Sequence, residues 1–390
     1  MTYTCRWLPR VAEVSVEAWN ALTKPLYTPF FEWEWLHNLE VSGSATRQAG
    51  WMPHHLTLWQ GKDLVGVAPL YIKGHSQGEF VFDHQFADLA HRLGLRYYPK
   101  LLGMSPFTPA EGYQFVFPPD FPDRDEAIDL MVEEIDRFCL KNGILSCNFL
   151  YVDSRWQQEM MERGFTPWMH HSFIWTNQNF ADFNEFLQGF NANQRRNIKR
   201  ERKSVANSGI QIVPYSGEEI PHFLFSLMYD FYSDHCDKFG WWGSKYLTRK
   251  FFENLASCFR DRVVFFAAQR EGERKPVGMS FCIRKNTNLY GRYWGCFEEI
   301  DCLHFDTCYY TPIEWAISNG IQKFDPGAGG GHKKRRGFPA TPNYSLHKFY
   351  HPVLAKILIP YMAEYNLYEQ KEIDAINAEL PFDLPAPQIQ

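Results

Sequence analysis

Three short patterns occur twice in this chain, in the same order, and any fold must accommodate both copies. Val65-Gly66-Val67-Ala68 returns as Val277-Gly278-Met279-Ser280, Asn142-Gly143-Ile144 as Asn319-Gly320-Ile321, and Arg163-Gly164-Phe165 as Arg336-Gly337-Phe338. In both copies a serine follows seven residues after the phenylalanine, Ser172 and Ser345. Self-similarity of this kind marks a duplicated structural unit. The local chemistry of each pattern agrees between copies. HLTLWQ and VVFFAAQ precede turn-forming GKD and REGERK and read as first strands of hairpins, with the Val-Gly segments as second strands. AIDLMVEEIDRFCLK and TPIEWAIS read as helices stopped by Gly143 and Gly320, each leading into a strand.

Each copy therefore reads as helices, an antiparallel hairpin, a helix, a strand, a crossing segment and a closing strand. A mixed, mainly antiparallel sheet flanked by helices satisfies that order, which makes the chain an α/β (α+β) protein. A length of 390 residues exceeds what one core comfortably holds, so two domains are expected. The polar stretch TNQNF suggests the boundary: an N-terminal domain over 1–178, a C-terminal domain over 179–378 carrying the active site, and a flexible proline-rich tail over 379–390. From hairpin glycine to post-helix glycine the spacing is 77 residues in the first copy and 42 in the second. The first domain thus holds about 35 extra residues, placed between Gly78 and Gly112.

The net charge of −5 is unevenly spread. NANQRRNIKRERKSV carries Arg195, Arg196, Lys199, Arg200, Arg202 and Lys203 against the single anion Glu201, and Lys333 to Arg336 add four more cations. Two concentrated basic sites on an acidic protein point to a phosphate-bearing ligand rather than general adhesion to nucleic acid. The first reads as a helix capped by Asn191 or Asn193. No window approaches 18 consecutive apolar residues, so no membrane span is expected. Nine cysteines without a regular framework fit free thiols in a reducing cytoplasm.

Chemistry-bearing residues are densest between Leu289 and His347: Arg292, Tyr293, Trp294, His304, Tyr309, Tyr310, His332, Lys333, Arg336 and His347 are spread over two strands, a loop and a helix. Side chains from successive elements that converge on one point make a site. GAGGGHKK completes neither a P-loop nor a dinucleotide spacing, although its glycines can present backbone N–H groups. Cys296, Cys302, Cys308 and His304 lack any C-x-x-C pair, and no metal is expected.

The segments FDHQFADLAHRLGLRYYPKLLGMSPFTPAEG, QRRNIKRERKSV, YSDHCDKFGWW, LYGRYWGC, LHFDTCYYTPIEWAI and FDPGAGGGHKKRRGF together resemble the bacterial predicted N-acyltransferases of the peptidoglycan biosynthesis and recognition family, relatives of the Fem peptidyltransferases. The resemblance spans about Phe80 to His347 and departs at Gly331, where the family usually has Glu. It implies two tandem GNAT-like domains and transfer of an acyl or aminoacyl group to an amine. The donor would be an acyl-CoA, an acyl carrier or an aminoacyl-tRNA, with no further cofactor. Neither half has the glycine-spaced pyrophosphate loop of ordinary acetyl-CoA enzymes, which raises the carrier and tRNA readings. Leu289 to Cys296 would be the splayed central strand. His304 and His332 are the candidate bases, since an imidazole suits proton abstraction near pH 7. Tyr293 and Tyr310 complete the catalytic set, and either Tyr309 or Tyr310 can protonate a leaving group. Arg195, Arg196, Lys199, Arg200, Arg292, Trp294, Lys333, Arg336 and His347 would hold donor and acceptor. A tRNA-dependent aminoacyl transferase and a non-catalytic binder of a phosphorylated glycan or nucleic acid are the competing readings.

Overall fold

The structure is a computed structural model describing residues 2–239 and 245–382, and the chain divides into two compact units. Unit 1 comprises Met1–His170 and Pro342–Gln370; unit 2 comprises His171–Thr341 and Lys371–Gln390. The first crossing lies close to the polar boundary read from the sequence. Residues 342–370, expected in the C-terminal domain, instead return to unit 1. Most of the expected tail, 383–390, lies outside the described residues, but Phe382 pairs with Phe190 in a β-bridge of unit 2.

Unit 1 contains β1 (Tyr3–Leu8), β2 (Trp51–Pro53), β3 (His55–Gln60), β4 (Asp63–Ala68), β5 (Leu70–Lys73), β6 (Lys100–Gly103), β7 (Ser146–Phe149) and β8 (Thr166–Phe173). β1, β3 and β4 form one antiparallel sheet. A second runs β2-β5-β6-β7, then the strand Ala340–Phe349, then β8. β6 and β7 pair in parallel. The helix Arg124–Lys141 makes their crossover and buries Ala127, Ile128, Met131, Val132, Ile135 and Cys139, a 3.6-residue stripe against the sheet. Gly143, at φ +64°, lets the chain turn out of that helix into β7.

Unit 2 contains β9 (Trp175–Thr176), β10 (Ile210–Ser216), β11 (Val263–Arg270), β12 (Gly278–Lys285), β13 (Asn288–Cys296) and β14 (Lys323–Asp325), ordered β10-β11-β12-β13-β14-β9. Here too a parallel pair, β13 with β14, is joined by a helix, Thr311–Ser318. The repeat therefore maps element for element as far as the parallel pair. Both hairpins are antiparallel, their second strands neighbour the strand that enters the parallel pair, and both post-helix glycines lead into its partner. Pro69 breaks the first copy into β4 and β5, because a proline supplies no ladder donor. The fold is α/β, with mixed sheets flanked by helices in two units. The first copy's extra length lies at residues 74–99, between β5 and β6, and at 104–123, whereas β12 and β13 are separated only by Asn286 and Thr287. Ser345 lies in Ala340–Phe349, hereafter β15, the second copy's closing strand.

A charged cluster ties the first insertion to the sheet of unit 1. Lys73 and Lys100 face Glu79 and Asp83, all four side chains at most 2% exposed. The Lys100 ammonium lies 2.7 Å from Glu79 and 2.5 Å from Asp83, and donates to Ser76 Oγ at 2.8 Å. Tyr97 donates to Asp83 at 2.8 Å, and Lys73 sits 3.7 Å over the Trp51 ring. Burial disfavours all these charges, pushing Glu79 up to about 7 and Lys73 down to about 7, while Asp83 and Glu79 together hold Lys100 charged. Removing one partner of such a cluster leaves uncompensated buried charge. Lys100→Met should therefore lower the stability of unit 1 by about 3–5 kcal/mol, measured as a shift of the urea midpoint followed by tryptophan fluorescence.

Candidate functional site

The site in unit 2 begins where two strands part. β13 and β14 pair through Asn288–Lys323, Leu289–Phe324 and Tyr290–Asp325, and then Pro326 ends the ladder because it has no N–H to offer. Gly291 keeps the fork tight, since a Cβ there would meet the Pro326 backbone at 3.2 Å. The β12–β13 register shifts between Phe281, opposite Tyr293, and Cys282, opposite Gly291, so Arg292 is the extra residue of a bulge. Beyond it, Tyr293 and Trp294 take opposite faces. Tyr293 packs on Tyr232 and Phe252, with ring centroids at 4.8 and 6.4 Å. Trp294 packs 5.0 Å from His304.

On the Trp294 side lies the helical run Leu303–Ser318, interrupted by a π turn over Asp306–Tyr310. Such turns add a residue to the helix and change where its side chains point. Tyr309 and Tyr310 each meet a separate partner: the Tyr309 hydroxyl is 3.0 Å from His332 Nε2, and Tyr310 donates to Glu201. The rings of His304 and His332 are 5.8 Å apart, with Tyr309 5.4 and 5.6 Å from them. His332 is exposed, His304 is half-buried, and Tyr310 is fully buried. Tyr309 is therefore the tyrosine at the accessible imidazole, and Tyr310 is behind it.

The glycine loop is fastened from within. Asp325 accepts from the Gly327 N–H at 2.8 Å, tying down the turn. Lys333, 2% exposed, donates to the carbonyls of Gly327 at 2.6 Å and Ala328 at 3.3 Å. Arg336, 4% exposed, stacks its guanidinium 3.3 Å from the Phe305 ring, donates to the His332 carbonyl at 2.9 Å and reaches Glu201 at 3.1 Å. Neither cation is turned outward to a phosphate as the sequence suggested; both brace the loop that presents His332.

The basic segment is the helix Ala192–Asn207, capped by Asn191, whose side chain accepts from Gln194 N. Its cations divide by face. Arg195 donates to the carbonyls of Gln188 and Phe190, and Arg202 pairs with Asp306 at 3.3 Å and Glu314 at 2.6 Å. Arg196, Lys199, Arg200 and Lys203 are exposed, fall at i, i+3, i+4 and i+7, and have no ion pair among the described residues.

Of the expected residues, His304, His332, Tyr310, Trp294, Lys333 and Arg336 come together, while Tyr293 lies across the sheet. His347 belongs to unit 1. It is 1% exposed on β15, bonded to Asn148 at 2.7 Å and Ser345 at 2.8 Å, because its strand inserts beside β7. Glu201 joins the site although nothing in the sequence reading places it there. Its one signal is being the only anion in a basic helix.

Burial, then the neighbouring His332, His235, Arg336 and Lys333, push His304 down to about 3. His332 is lowered by partial burial and by Arg336 and Lys333. Burial pushes the phenols of Tyr309 and Tyr310 up, so both stay protonated. At neutral pH the cluster is a pair of neutral imidazoles beside a protonated phenol, able to accept one proton and deliver another. Because His304 is depressed on folding, the unfolded chain takes up a proton that the native one refuses. The stability contribution of His304 is complete above its ordinary 6.5 and is lost progressively as pH falls towards about 3. His304→Gln should flatten the fall in stability over that window, read from urea midpoints at stepped pH.

The comparisons with known proteins agree with this architecture. The crystal structure of FemX superposes with a TM-score of 0.52 at 11% identity, covering 91% of this chain and all of FemX. The C-terminal domain of a protein assigned as a lysylphosphatidylglycerol synthetase of Agrobacterium fabrum gives 0.53 at 10% identity, covering 90% of this chain and 96% of that one. At such identities the likeness is one of fold. No curated protein matches the sequence. The family model for peptidoglycan biosynthesis/recognition, FemAB-like, matches residues 10–384, and the chain belongs to that family.

Proposed function

We propose that this protein moves an acyl or aminoacyl group from an activated, phosphate-bearing donor to an amine, and that the chemistry is done in unit 2. The observation that carries the reading is the exposed, neutral His332 held 3.0 Å from Tyr309 beside the β13–β14 fork. An attacking amine must lose a proton, and a leaving thiolate or ribose oxygen must gain one. His332 accepts the first, with the Tyr309 phenol supplying the second. Trp294 and the half-buried His304 wall the site and keep water from its inner side.

The donor is an acyl-CoA, an acyl carrier or an aminoacyl-tRNA. The exposed stripe Arg196, Lys199, Arg200 and Lys203 favours the tRNA reading. Its ends are separated by seven residues, about 10.5 Å of helix, long enough to meet successive backbone phosphates. The family assignment favours an amine on a peptidoglycan precursor as acceptor. Among the described residues no helix is long and apolar enough to cross a membrane, so the donor and acceptor would be met without a helical span of this chain.

Native mass spectrometry of the purified protein, followed by transfer assays with whichever of CoA, carrier or tRNA is retained, tests the donor. His332→Asn should then lower turnover by ~10²–10⁴ with little change in donor affinity. An unaltered turnover would end the role given to His332. Arg196→Glu combined with Arg200→Glu should weaken donor binding and flatten the dependence of log affinity on log salt, in proportion to the number of phosphates that the helix no longer neutralises. Unchanged affinity and slope would make the stripe a solvated helix face.

A further inference from the structure

Glu201 sits where a carboxylate is least expected, in a helix otherwise crowded with cations, and its side chain is 18% exposed. It accepts from Tyr310 and, through both oxygens, from Arg336 at 3.1 and 3.3 Å. Arg336 in turn holds the backbone carbonyl of His332 at 2.9 Å and lies flat on Phe305. The segment carrying His332 is also held by Gln194, which donates to the Arg335 carbonyl at 2.6 Å, and by Lys334 paired with Glu379, but neither contact reaches His332 itself. It is preceded by Gly327, Gly329, Gly330 and Gly331, three of them at positive φ, and glycines leave the backbone its widest freedom. A ring that must meet Tyr309 at 3.0 Å cannot be placed by such a loop alone. Lys333 fixes the loop's inner half through the Gly327 and Ala328 carbonyls, and Arg336 fixes the half that bears His332.

We infer that Glu201 is a positioning residue that sets the place and the charge environment of His332 through Arg336. Its two oxygens hold one guanidinium nitrogen, Nη2, while the other, Nη1, reaches the His332 carbonyl, so the planar guanidinium links the carboxylate to the loop. The carboxylate also offsets the positive charge that Arg336 brings to the imidazole. Glu201 touches no part of the solvent-facing ring of His332. Its reach to the His332 backbone passes through the arginine. The inference deepens the transferase reading, resting on it only for what His332 does once placed. Its test needs no substrate, so either can fail while the other stands.

Glu201→Gln, Arg336→Gln and the double variant are compared in the full chain, with hydrogen exchange following the loop and 13C-labelled histidine NMR following His332. The Glu201→Gln substitution should speed exchange of amides in residues 331–337 roughly tenfold or more, as expected for loss of a charge-assisted hydrogen bond. Amides of β11 to β13 should be unaffected. It should also lower the His332 titration midpoint by roughly half a unit, because Arg336 is left without its counter-charge. In the Arg336→Gln background, Glu201→Gln should add nothing to exchange, since a residue acting through another loses its effect when the intermediary is gone. A contribution to global packing alone would not move the His332 midpoint. Unchanged exchange and midpoint in Glu201→Gln, or equal effects of Glu201→Gln with and without Arg336, overturns the inference. Should Glu201→Gln fail to fold, Arg336→Lys keeps the charge but removes the second nitrogen that joins Glu201 to the His332 carbonyl. It must loosen the same segment, or the inference falls.

Discussion

The ladder between β13 and β14 stops after three residues, and the rest of unit 2 is arranged around that stop. Pro326 withdraws the donor that a fourth pair would need, and Gly291 lets the two backbones remain close while they diverge. The bulge at Arg292 turns β13 further, so that Trp294 faces the π turn and Tyr293 faces the helices Phe223–Lys238 and Arg249–Cys258. Were the ladder continued, Gly327 would be committed to a strand and the glycine loop could not form. The position of His332 thus follows from one missing N–H on a neighbouring strand.

The two units use buried charge in related ways. In unit 1, two lysines of the sheet bind two carboxylates of the long insertion. In unit 2, one carboxylate of the basic helix binds an arginine of the glycine loop. In both, an irregular segment is fixed to a regular element by a charged contact rather than by apolar packing alone. Ion pairs of this kind add little net stability, because desolvation offsets their attraction, but they have direction. Directional contacts give a loop one place to sit, whereas apolar contacts would let it slide.

Much of the fold is legible in the sequence because the repeat specifies element order twice over. The helix Thr311–Ser318 begins and ends where TPIEWAIS begins and ends, and both hairpins, both glycine stops and both closing serines fall in matching elements. The site is legible only as a neighbourhood. His304, His332 and the tyrosine pair can be placed together because they flank one short helix. The face each side chain takes depends on a bulge and a π turn, neither of which leaves a periodic trace. Lys333 and Arg336 look like surface cations because charge is visible in a sequence and the carbonyls that capture it are not. His347 has other neighbours than expected for a topological reason: its strand closes the second repeat in sequence but joins the sheet of the first unit.

That exchange bears on how the chain is made. β15 lies between β7 and β8 in the sheet of unit 1, so that sheet lacks an inner strand until residue 349 has been synthesised. All of residues 171–341 leave the ribosome before it arrives. Unit 1 must therefore wait, with β7 and β8 lacking the partner that separates them, while residues 171–341 of unit 2 are produced. A protein built in this way cannot finish its first half first, and its nascent form presents an open strand edge for nearly half of its synthesis.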